Sequence, residues 1–185
     1  TSQGDICIRT RQAATLLGAT KMDRPEDIEV NPTTGTVYLA MTNNTNRGVA
    51  ANPGVDAANP RVNNRYGHII ELTETGGDQT STTFGWDIFM LCGRGEIAAN
   101  LVSSPGAATS NESTYFAGWT GVSTTIASPD NLAFDQSGNL FVGTDGQPGA
   151  VDRCDGVFVV PTAGTYRGRL VQLAATPAGA ECTGP

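Results

Sequence analysis

The chain has 185 residues, a formal charge of −7 and a sequence pI of about 4.5. This balance argues against a grip on nucleic-acid phosphates or docking on anionic membrane, and it suits the binding of cations. A hydrophobic content of 38% with 23 glycines and 10 prolines fits a turn-rich all-β protein, and no apolar run approaches the ~20 residues of a membrane-spanning helix.

From the start, Asp5-Ile6-Cys7-Ile8 reads as an outer strand belonging to a preceding sheet, and Arg11 to Leu17 as a short helix ended by Gly18. Thr1 reads as a mature terminus or an internal boundary. The phrase DRPEDIEVNPTTGTVYLAMTNN then spells a strand, a tight turn at Pro32-Thr33-Thr34-Gly35, and a second strand. Residues 43–65, rich in Asn, Gly and Pro, form a long insertion. A glycine-led third strand, Gly67 to Leu72, and a fourth, Thr83 to Leu91, complete the unit.

After residues 93–127, a second insertion, the first phrase returns as SPDNLAFDQSGNLFVGTDG. Pro25-Glu26-Asp27-Ile28 aligns with Pro129-Asp130-Asn131-Leu132, and Val37-Tyr38-Leu39 with Leu140-Phe141-Val142. Gly156 to Val160 and Arg169 to Leu173 supply third and fourth strands again. Radially repeated four-stranded meanders describe a β-propeller. The expectation is therefore a partial β-propeller. Its first blade spans 24–92, an inter-blade insertion 93–127, a second blade 128–175 and the start of a next blade 176–185. Two blades do not close a ring, so missing blades or a second copy are expected to cover the open sheet edges.

In a propeller, equivalent positions of successive blades surround one axis, so Glu26 and Asp130 should converge at one mouth of the channel. Converging carboxylates repel unless a cation or a shared proton intervenes, and all-oxygen ligation favours hard cations. Asp27 and Asn131, one residue on, could add ligands or support, while Asp145 could lie elsewhere in the channel. The competing reading is that these carboxylates cap turns. Arg24 stands two residues before Glu26 and should share its face. Its guanidinium could hold phosphate or simply pair with a carboxylate.

His68 is the single histidine, and a lone histidine is more often structural than catalytic. The cysteines at 7, 92, 154 and 182 lack CxxC spacing, which disfavours a zinc ribbon and leaves disulfides and buried thiols both open. No GxSxG elbow, Walker A loop, dinucleotide fingerprint or HExxH occurs.

Through the two phrases, the ANPRVNNRYGHIIELTE run and the closing GAECTGP, the chain resembles the PhoX family of alkaline phosphatases. The resemblance implies a periplasmic or secreted phosphomonoesterase using Ca²⁺ and Fe³⁺. It also implies that Arg24 binds phosphate, that Glu26, Asp130 and Asn131 ligate metal, and that Glu181 is a weaker fourth ligand. The family's metal-binding thiolate matches nothing here, so none of the four cysteines is carried over. A calcium-dependent lactonase or esterase, and a non-catalytic calcium-binding segment, are the alternative readings.

Overall fold

The computed structural model describes residues 2–184. Two antiparallel sheets follow one another along the chain. The first runs β1 (Pro25–Val30), β2 (Val37–Met41), β3 (His68–Glu74), β4 (Phe84–Leu91) and β5 (Tyr115–Phe116) in spatial order. The second runs β6 (Pro129–Phe134), β7 (Asn139–Thr144), β8 (Gly156–Pro161) and β9 (Val171–Ala175). These are consecutive meanders, and the chain is all-β with the architecture of a partial β-propeller.

Alternation explains the packing. Tyr38, Ala40 and Ile69 point from the first sheet to the second, where Leu132, Val142 and Phe158 point back, all of them buried. The Tyr38 ring meets Phe89 and Phe134 edge-on, with centroids 5.1 and 5.3 Å apart. Strand β6 lies against β1 and β2, so the two opening strands are neighbours. Arg167, from the loop before β9, closes the opposite end by bonding Glu71 and standing 5.0 Å above the Phe89 ring.

Three local features differ from expectation. Residues 5–8 form no outer strand but lie in α1 (Gln3–Ile8). The Ser2 hydroxyl accepts the Asp5 N–H at 3.2 Å and the Asp5 carboxylate accepts the Ser2 N–H at 2.9 Å, a capping box that outweighs the β-branched pair Ile6 and Ile8. The next helix, α2 (Thr10–Leu16), coincides closely with the expected one, and Gly18 follows at φ +71°. The first sheet also gains a fifth strand, because β5 pairs Phe116 with Met90 and Tyr115 with Leu91. Finally, the second sheet carries a short helix, α3 (Gln147–Val151), between β7 and β8.

Gly67 opens β3 at φ +77°, and a Cβ there would run into the Met41 and Thr42 carbonyl oxygens and come within 2.7 Å of Pro129 Cδ. Only glycine permits this approach, which brings the end of β2 against the start of β6.

Candidate active site

Both blade entrances are built alike. Arg24 and Ser128 each precede a proline, and each has φ +54°. For residues with a Cβ, this left-handed conformation costs on the order of 1–3 kcal/mol and persists only where surroundings enforce it. Here Arg24 O accepts the Thr42 N–H at 3.0 Å, and Ser128 O accepts the Asp145 N–H at 3.1 Å. A bulge follows in each copy. Pro25 pairs Met41 while Ile28 pairs Leu39, and Pro129 pairs Thr144 while Leu132 pairs Val142. The extra residue on β1 and β6 re-aims the side chains beside it.

The expected residues meet at this mouth, in differing roles. Arg24 NH2 donates to Glu26 Oε1 at 3.0 Å, the two meeting through the left-handed turn before β1 rather than along a strand face, and Arg24 NH1 donates to Asn43 Oδ1 at 3.1 Å. Both side chains of the ion pair remain open to solvent, 56% and 37% exposed. Asp130 Oδ1 accepts the Thr42 hydroxyl at 3.3 Å. Burial holds the Asp130 carboxyl above its ordinary range, and the charges of Glu26, Asp145 and Glu181 push it the same way against the Thr42 hydrogen bond. The charges of Glu26, Asp145 and Glu181 thus all bear on Asp130 at this mouth.

The neighbouring pair acts on backbone. Asp27 accepts the Ile28 N–H at 2.8 Å and the Leu132 N–H at 2.7 Å, so its carboxylate staples the first entrance to the second. Asn131 Oδ1 accepts the Gly184 N–H at 3.0 Å, repeating the link toward the segment carrying Glu181.

Beneath Arg24 lies a buried polar network that sequence reasoning missed. Asp23, fully buried, accepts Arg47 Nε at 2.8 Å, Asn44 Nδ2 at 2.9 Å and Asn64 Nδ2 at 2.9 Å. Asn64 Nδ2 also reaches His68 Nδ1 at 3.0 Å, while His68 Nε2 meets Ala58 O at 2.9 Å. Arg61, wholly buried, donates to the carbonyls of Cys92 at 2.6 Å and Ser113 at 3.1 Å, to Asn64 Oδ1 at 2.7 Å and to Gly67 O. The network binds both insertions to the base of the entrance. Its members were scattered polar residues with no common spacing. The nearest signal is the polar run Thr42-Asn43-Asn44 just after β2, of which Asn44 is a member.

His68 is thus structural. Burial, followed by the Arg61 charge, lowers its pKa to about 4 against the opposing pull of Asp23. An unfolded imidazole titrates near ~6.5. Stability is fully present above that pH and is lost as pH falls toward 4, because the unfolded chain takes the proton first. The expected loss approaches about 1 kcal/mol per pH unit in this window. Unfolding midpoints of the full-length protein between neutral and acid pH should show the slope, and His68→Gln should flatten it.

The profile of the family described as "Alkaline phosphatase PhoX" matches residues 1–185. The chain belongs to the PhoX family.

Among solved structures, the chain is similar to "Pseudomonas fluorescens PhoX in complex with vanadate, a transition state analogue". Identity is 31% and the TM-score 0.79, with all of this chain covered and 30% of that one. The chain therefore spans about 30% of the length of the solved PhoX chain it matches. No curated protein matches the sequence.

The resemblance to PhoX implied calcium and iron, and the donors at the mouth suit hard cations in kind, being carboxylate, amide and hydroxyl oxygens. The crowding at Asp130 is also what a cation would relieve. Among the described residues, however, no three His, Cys, Asp or Glu side chains stand close enough to hold a metal ion. The four cysteines are free thiols, and Cys92, buried, has its pKa pushed up to about 12, which makes it a poor nucleophile.

Proposed function

We propose that the chain supplies the phosphate-gripping wall of a PhoX-type alkaline phosphatase that hydrolyses phosphate monoesters. The observation that carries this reading is the juxtaposition of Arg24, open to solvent, with the mouth formed by Glu26, Asp130, Asp145 and Glu181. Arg24 keeps three of its five N–H groups free of protein acceptors among the described residues, enough for a fork on phosphate oxygens. Vanadate bound to the Pseudomonas fluorescens relative supports a phosphoryl-transfer centre in this family.

In this assignment Arg24 binds phosphate, and Glu26, Asp130, Asn131 and Glu181 hold Ca²⁺ and Fe³⁺ together with donors from the remainder of the protein. Bound there, the cations would supply Lewis-acid neutralisation of phosphate oxygens. Arg24 orients the phosphoryl group and counters the charge that grows as water oxygen bonds phosphorus and the ester oxygen departs. Thr42 holds Asp130 in place through its hydroxyl. The protein works in the periplasm or outside the cell.

A catalytically complete ring needs further blades, or a second copy, against this one. Ile28 is 61% exposed whereas its repeat equivalent Leu132, packed on the first blade, is 3% exposed. Phe84 and Trp86 lie bare on the same sheet, as do Val171 and Leu173 on β9. The expected result is that residues 1–185 alone fail to hydrolyse p-nitrophenyl phosphate, whereas full-length enzyme does so and loses the activity to a chelator. Robust hydrolysis by the isolated segment, or chelator-resistant turnover by the whole enzyme, would reject this reading.

A further inference from the structure

We infer that Asn43 is a positioning residue for Arg24, orienting the guanidinium while leaving its positive charge for the substrate. The inference rests on the reading of Arg24 as the phosphate-binding group and adds what keeps it in register. Arg24 is an exposed side chain with several rotatable bonds, and binding would have to immobilise it. Two acceptors restrain it beforehand, one on each terminal nitrogen: Glu26 on NH2 and Asn43 on NH1.

The backbone on either side of Asn43 is anchored. Before it, the Thr42 N–H bonds Arg24 O at 3.0 Å and the Thr42 hydroxyl bonds Asp130. After it, the Asn44 N–H bonds Asn64 O at 2.6 Å and Asn44 Nδ2 bonds buried Asp23. The amide of Asn43 therefore issues from a fixed frame that also carries Arg24.

The internal repeat supplies a second line. By register, Met41 corresponds to Thr144, so position 43 corresponds to 146, and position 24 corresponds to 128. In the second blade those positions hold Ser128 and Gly146, and they again face each other, since a Cβ on Gly146 would stand 3.0 Å from Ser128 Oγ. The same pair of positions is Arg with Asn in one copy and Ser with Gly in the other. Where the arginine is missing, its acceptor is missing too.

Asn43 is also the right chemistry for restraint without neutralisation. Glu26 already places one carboxylate on the guanidinium. A second would leave the cluster net negative and repel a phosphate dianion, whereas a carboxamide oxygen accepts the hydrogen bond and adds no charge.

The test uses full-length enzyme, p-nitrophenyl phosphate as substrate and inorganic phosphate as inhibitor, with Arg24→Ala as reference. Asn43→Ala is expected to lower kcat by about 10–10²-fold at an unchanged thermal midpoint. Combined with Arg24→Ala it should add nothing, because it acts through that residue. Asn43→Asp retains the acceptor and is expected to keep kcat nearer the parent. Its KM and phosphate inhibition constant should rise by roughly tenfold or more. If Arg24→Ala loses activity while Asn43→Ala stays within twofold of the parent, the inference fails and the role of Arg24 stands. If both Asn43 variants lose activity only in step with a lowered thermal midpoint, the residue is merely structural and the inference again fails. Undiminished turnover in Arg24→Ala would remove the premise itself.

Discussion

Arg24→Ala in the full-length enzyme is expected to lower kcat for phosphate monoesters by about 10²–10³-fold, with little loss of stability. The activity term follows from removing a preorganised donor aimed at developing charge, which costs roughly 2.7–4 kcal/mol of transition-state stabilisation. The small stability term follows from exposure, since the Arg24–Glu26 pair is open to water and such pairs contribute about 0–1 kcal/mol. The backbone is indifferent to the change, because alanine meets the same left-handed penalty that Arg24 already bears at φ +54°. Arg24→Lys should recover part of the rate, having the charge without the fork. Steady-state kinetics beside thermal unfolding separates the two effects. Turnover undiminished by Arg24→Ala, or a defect that tracks unfolding, would take phosphate binding away from Arg24.

Arg47→Ala is expected to have the opposite profile, a loss of about 3–5 kcal/mol in stability that carries activity down with it. Asp23 and Arg47 are 0% and 1% exposed, and removing the guanidinium would strand a buried carboxylate with only two asparagine amides for partners. Arg47 also bonds the carbonyls of Lys21 and Gly54, so its loss frees the insertion from the segment that leads into Arg24. Arg65→Ala is the control. Its pair with Glu112 is 42% and 36% exposed, and its loss should cost about 1 kcal/mol or less. Equilibrium unfolding of the three proteins makes the comparison. Equal midpoints for Arg47→Ala and Arg65→Ala would show that the network does not support the entrance.

The duplicated entrance explains why so much was legible beforehand. Prolines 25 and 129, the turns closed by Gly35 and Gly138, and the alternating strands each have a local cause, so the two meanders and the shared position of Glu26 and Asp130 followed from spacing. Residues 5–8 depart from the expected strand for an equally local reason, the Ser2–Asp5 capping box that starts a helix beside two isoleucines. Strand β5 was invisible because two residues carry too little periodicity to be told from loop.

Local chemistry along the chain was enough to set the repeated strand-turn-strand unit, the first four strands of each meander and the acidic residues at the two entrances. Periodicity and turn chemistry act between residues close along the chain, and such signals survive without coordinates. The fate of each polar side chain depends instead on contacts between distant parts of the chain. Asp27 and Asp130 sit in comparable wording, yet one is consumed by the Ile28 and Leu132 amides while the other stays in the mouth with Glu26, Asp145 and Glu181. Arg24 and Arg47 read alike as basic residues, yet one faces solvent and the other is sealed against Asp23. A bulge, a left-handed residue and a contact across some 20 to 100 positions of chain settle those outcomes, and composition carries no record of them.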